Sequence, residues 1–136
     1  MNRKKLAIFA NSGNYSDFHH MLSIIMASIS NGMEINIFFS YEALEKLIQI
    51  KNNNINLDSK NKINDQFYKA LKEKKIQSDI EILKMIKETG SVKIFACSSS
   101  IAIMNIKEDD LLNVDKIMGL TTFLGIVEES DTVLYI

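Results

Sequence analysis

Ser91–Ile106, SVKIFACSSSIAIMNI, is the stretch whose reading decides the fold. Val92–Ala96 is a short apolar run of the kind that fits a fully buried strand, and the next residue is Cys97, the one cysteine of the chain. Three small hydroxyl residues, Ser98, Ser99 and Ser100, follow at once. In open parallel α/β sheets the working groups sit outside the carboxyl ends of the strands, which is where this reading puts the thiol. If Ser98–Ser100 opens a helix or turn, its unpaired backbone N–H groups point at the sulfur and favour a thiolate. The competing reading is that Cys97 is a small apolar residue beside a buried strand, since free cysteine is among the most buried residue types. The stretch alone leaves both open.

On either side the chain alternates the same two kinds of element. Leu6–Ala10 reads as a first strand, Asn11–Ser16 as a turn, and Phe18, Met21, Leu22, Ile25 and Ile29 recur at helical spacing. Ser16 or Asp17 is the expected cap, and Asn31-Gly32 the stop. Glu34–Phe39 is a second strand, after which Ser40 is expected to cap a helix carrying Leu44, Leu47 and Ile48. The polar run Lys51–Lys62 reads as an exposed, mobile loop. Ile63, Phe67 and Leu71 mark one helix face; Ser78 with Glu81 suggests a capping box for another helix whose Ile80, Leu83 and Ile86 turn inward. Two helices before Val92 exceed a minimal crossover, so one reads as an insertion that covers a site or makes a subunit contact. Lys107–Leu111 is a single helical turn, Asp115–Met118 a fourth strand, Thr121 or Thr122 a helix cap, and Thr132–Ile136 a fifth strand. Alternation throughout implies a single α/β domain over 1–136: three layers, α/β/α, flavodoxin-like, around a central five-stranded parallel sheet. Strand order is not readable from this pattern.

Composition narrows the function. The chain has 136 residues, with 16 basic and 17 acidic side chains and no long single-sign block, so nothing suggests a nucleic-acid footprint. With one cysteine there is no intrachain disulfide and no CxxC pair, and a reducing cytoplasm is the expected setting. The apolar run after Met1–Lys5 is too short for a secretion signal, and no stretch reaches the roughly 18 apolar residues of a membrane span. No metal or organic cofactor is expected.

Other candidates weigh less. Asn11-Ser12-Gly13-Asn14-Tyr15-Ser16 joins a strand to a helix start and could cradle an anion, but it matches neither the Walker nor the dinucleotide pattern, and an ordinary turn is the stronger reading. His19 and His20 invite a general-base or metal role, yet adjacent helix positions point about 100° apart and cannot both face one site. Asp109-Asp110 reads as a solvated turn.

Several segments together resemble the DsrE/DsrF-like sulfur-relay family, most closely its peroxiredoxin-labelled branch. Asn31-Gly32-Met33-Glu34 followed by Ile37-Phe38-Phe39-Ser40 is similar to the family's Gly-Met-Glu-Val and Ile-Phe-Phe strand. Val92–Cys97 resembles its strand into a sulfur-carrying cysteine, and Met104–Leu111, Gly119–Leu124 and Asp131–Ile136 also fit. Ser98–Ala102 replaces the usual Met-Ser-Met-Asp, and Asn105 stands where glycine is common. The resemblance implies an oligomeric flavodoxin-like protomer, as a homo-oligomer or in a hetero-complex. It implies sulfur carried on Cys97 as a persulfide or thiosulfonate between donor and acceptor proteins. Ser98, Ser99 and Ser100 would cradle the anion, with Asn11, Ser12, Gly13, Gly119 and Thr121 shaping the pocket. Two alternatives stand beside it: a structural subunit of a relay complex with an inert cysteine, and a flavodoxin-like module for a nucleotide or flavin.

Overall fold

The computed structural model describes residues 3–48 and 62–136, so residues 51–61 of the polar run expected to form a mobile loop lie outside the described residues. Five strands form one all-parallel sheet: β1 (Lys5–Ala10), β2 (Glu34–Phe39), β3 (Val92–Cys97), β4 (Lys116–Met118) and β5 (Thr132–Tyr135). They lie in the order β4-β3-β2-β1-β5. The helices are α1 (Tyr15–Ser30), α2 (Lys62–Lys72), α3 (Asp79–Glu88), α4 (Ser98–Ile103) and α5 (Leu120–Glu128).

The order explains which helix covers which face. From β1 to β2 to β3 the chain steps one strand at a time in one direction, so right-handed crossovers put α1 and α3 on the same face. From β4 it returns past three strands to pair with β1, and that reversal carries α5 to the opposite face. Side chains alternate accordingly. Leu6, Ile8, Ile35, Ile37, Val92 and Ile94 pack against α1 and α3, each fully buried aliphatic contributing about 1.5–3 kcal/mol. The intervening positions meet α5. Register aligns Tyr135 with Phe9, Phe9 with Phe38 and Phe38 with Phe95, making an aromatic row across four strands. Phe123 of α5 stacks on Phe38 at 4.8 Å and meets Phe9 edge-on at 5.2 Å. The fold is α/β with three layers, flavodoxin-like.

Several local expectations need correction. Helix α1 starts at Tyr15 and is capped by Asn14, whose side chain accepts from the Ser16 N–H, rather than by Ser16 or Asp17. Ser40 caps no α-helix: Tyr41–Leu47 is a 3₁₀ segment, and its first residue, Tyr41, is left-handed at φ 49°. Ser78 does accept from Glu81 N–H, and in α3 it is Ile82, with Leu83 and Ile86, that is buried rather than Ile80. Thr121 and Thr122 lie inside α5, whose cap is Gly119. Asp115 precedes β4 and serves as an acceptor, taking the Ile94 N–H at 2.7 Å and the Lys87 ammonium. The helix read as an insertion, α2, packs on α1.

Candidate functional site

Cys97 is at once the last residue of β3 and the residue that caps α4. Its apolar predecessors commit it to the sheet, and alternation turns its side chain to the α5 face, one step beyond the aromatic row. There it joins the cluster of Phe38, Phe95, Met118 and Phe123 and is only 6% exposed. The reading of Cys97 as a buried residue beside a strand is thus the one its side chain follows: the helix that crosses back over this face lays Phe123 into the same cluster. The thiol makes no capping hydrogen bond of its own.

Around the sulfur, the sequence candidates divide. Ser98 and Ser99 are exposed at the first turn of α4, whereas Ser100 is buried and its hydroxyl accepts the Tyr41 N–H at 3.0 Å. The Ser100 side chain is thus occupied in joining α4 to the 3₁₀ segment. Gly119 stands beside Ser98, with the position of a would-be Cβ 3.7 Å from Ser98 Oγ, and the preceding residue, Met118, pairs in register with Cys97. Thr121 is exposed in the first turn of α5. These residues share the end of β3 and β4.

Asn11, Ser12 and Gly13 leave β1, which is separated from β3 by β2. At two strand spacings, roughly 10 Å, they share the sheet end with Cys97 rather than its wall. The N–H groups of Asn11, Ser12 and Asn14 are committed internally. Asn11 and Ser12 N–H donate to the Ile136 carbonyl at 2.7 and 3.3 Å, and Asn14 N–H donates to Ser12 Oγ at 3.1 Å. Ser12 Oγ in turn donates to Asp17 at 2.7 Å. A Cβ on Gly13 would meet Glu42 Cβ at 2.8 Å, so glycine is needed here for close approach of the 3₁₀ segment. These bonds are those of a strand-to-helix turn closed on its own side chains and on the Ile136 carbonyl.

The histidines go elsewhere. His20 is exposed, and His19 lies on the α1 face against Tyr15 and Phe67, across the sheet from the Cys97 side chain. Burial holds its imidazole below the usual histidine range, with the Asp79 charge opposing. Burial likewise pushes Asp79 up against the pull of Lys46, and lowers Lys46 against the pull of Asp79 and Glu45. Among the described residues no three His, Cys, Asp or Glu side chains group as metal ligands. Sequence reasoning missed Tyr41. It is 51% exposed, stands at the end of the strand next to β3, and holds a left-handed backbone that a tyrosine rarely adopts. Nothing in residue type signals that conformation.

Comparison with known proteins places the fold. The YchN protein from E. coli is similar in structure, with a TM-score of 0.63 at 16% identity over 98% of this chain and 99% of that one. MTH1491 from Methanobacterium thermoautotrophicum, described as a protein of unknown function, gives a TM-score of 0.61 at 12% identity, over 96% and 98% of the two chains. A search of curated proteins finds no significant match. At sequence level, residues 4–136 match the model of the DsrE/DsrF-like family. The chain belongs to the DsrE/DsrF-like family.

Proposed function

We propose that this protein carries sulfur on Cys97 as a persulfide, within a relay of donor and acceptor proteins. The observation that supports it is the position of Cys97 as the junction residue between β3 and α4. The start of a helix is where unpaired first-turn N–H groups are available to a sulfur bound beside them. The Cys97 thiolate attacks the outer sulfur of a donor persulfide; a new S–S bond forms, the donor's S–S bond breaks, and the donor leaves as its thiolate. An acceptor thiolate then takes the outer sulfur from Cys97 by the same exchange. The chain has no second cysteine, so it cannot resolve its own persulfide, and the acceptor is another chain. Ser98 and Ser99, with the exposed Tyr41, form the rim over which a partner reaches the sulfur. Ser100 fixes α4 against the 3₁₀ segment through its hydroxyl, which accepts the Tyr41 N–H.

One observation favours a second reading, a structural subunit with an inert cysteine: the thiol is buried in an apolar cluster. The two separate in one experiment. Wild type and Cys97→Ser are incubated with thiosulfate or a persulfide-loaded sulfurtransferase, and intact mass is read without reductant. Sulfur carriage gives a 32-Da gain, the mass of one sulfur atom (about 32), on wild type alone, reversed by a thiol reductant. A wild-type thiol left unmodified by both donors, or equal gain on the serine variant, favours the structural subunit.

A further inference from the structure

Four titratable side chains that sulfur carriage does not use meet on the α1 face. Tyr15 and Asp79 are the first residues of α1 and α3, His19 lies one turn beyond Tyr15, and Lys46 comes from the 3₁₀ segment. Asp79 acts electrostatically on all three others. Two atoms here break the rule that buried polar groups are paired. Tyr15 is 2% exposed, and among the described residues no hydrogen-bond acceptor meets its hydroxyl, which faces the Asp79 backbone N–H; the buried Nδ1 of His19 has no partner among them either. Phe67 of α2 closes over both rings, 5.2 Å from Tyr15 and 5.0 Å from His19 between centroids. The Lys46 ammonium lies 5.2 Å from the Tyr15 ring centre.

The chemistry of a completing group follows from what is left over. A tyrosine hydroxyl and an ammonium both donate, and His19 Nδ1 donates or accepts according to its tautomer, so the missing partner is an acceptor with more than one oxygen. Asp79 already uses one oxygen on the Ile80 N–H at 2.9 Å, and its charge, with that of Glu45, disfavours a dianion. The aromatic wall suits a short apolar tail. We propose that Tyr15, His19 and Lys46 bind a small monocarboxylate, whose oxygens accept from Tyr15 Oη and Lys46 Nζ and whose carbon chain lies against Phe67. The site is separate from Cys97, on the opposite face of the sheet, and stands whether or not Cys97 carries sulfur.

The test uses the full chain, titrated with acetate, butyrate and sulfate by calorimetry while the imidazole resonances of His19 are followed by NMR. Butyrate should bind saturably and more tightly than acetate, shift the His19 ring, and outcompete sulfate. Tyr15→Phe and Lys46→Met should each weaken butyrate by about tenfold or more, the loss of one hydrogen bond to a charged group. Circular dichroism identifies any variant that fails to fold, and the wild-type His19 shifts and the other variant then decide. No saturable binding, unmoved His19 resonances, sulfate binding as well as butyrate, or undiminished affinity in the folded variants would overturn the site.

Discussion

Phe123 is fully buried and is the α5 side chain that meets the aromatic row on three strands, at Phe9, Phe38 and Phe95. Removing it opens a cavity that the sheet, fixed by its register, cannot collapse to fill, so Phe123→Ala should cost about 3–5 kcal/mol in urea unfolding. Because Cys97 lies in the same cluster, the substitution should also speed alkylation of the thiol. An unchanged alkylation rate in a folded variant would show that Phe123 does not shield the sulfur. His19 and Asp79 make a second residue-scale prediction, about pH. Folding depresses the imidazole, so its neutral form stabilises the native state above the unfolded value near 6.5, and that contribution is lost as pH falls below it. Asp79 works the other way: its carboxyl is raised by burial, so it disfavours folding at neutral pH, and the penalty is relieved as acid protonates it. Denaturation between pH 7 and 5 should therefore be steeper for Asp79→Asn than for wild type and shallower for His19→Gln. The reverse ranking would mean that the two groups do not share one environment.

At the scale of elements, α4 shows how a short helix next to the cysteine is held. Asn105 adopts φ 52°, its N–H donates to the Ala102 carbonyl and the Ile106 N–H to that of Ile101, so the helix ends in a Schellman motif with asparagine in the left-handed position. Asparagine is the residue after glycine best suited to that backbone. Asn105→Gly should preserve stability, whereas Asn105→Val should cost about 1–2 kcal/mol by thermal or urea unfolding; equal stability of the two would remove the backbone explanation. What was legible in the sequence follows the same physics. Strands β1, β2 and β3 and the helices α1 and α3 are readable because apolar spacing reports burial directly. Caps and turns were read less well, because they depend on which of several neighbouring oxygens reaches a given N–H, and Asn14 wins over Ser16 by geometry alone. The 3₁₀ segment was mistaken for an α-helix because apolar residues at Leu44 and Leu47 suit both. Cys97 could be found as a strand-end thiol, but its burial depends on a helix that returns from β4, and the Tyr15–Asp79 group joins residues far apart in the chain.

The whole molecule is covered unevenly. Among the described residues one sheet face carries α1 and α3, with α2 packed on α1, while the other has α5 alone, and Val133 and Tyr135 of the edge strand β5 are exposed beside it. On α5 itself Leu120 and Leu124, one turn apart, are exposed, whereas Phe123 is buried. Tyr135 is 73% exposed although it continues the aromatic row. A helix–strand corner with four large apolar side chains facing water is the mark of a surface meant for protein. Other exposed apolar side chains lie on α2, at Ile63 and Tyr68, and on α3, at Met85. No helix among the described residues is long and apolar enough to cross a membrane. The expected outcome is self-association through this corner, the homo-oligomer or hetero-complex that family membership suggests. Light scattering at micromolar concentration should give more than one protomer, and the double substitution Leu124→Glu with Tyr135→Glu should return the protein to monomers with its far-ultraviolet dichroism intact. A wild-type monomer would refute it. An oligomer that survives the double substitution would move the contact to another surface, of which α2 is the first to test, through Tyr68→Glu.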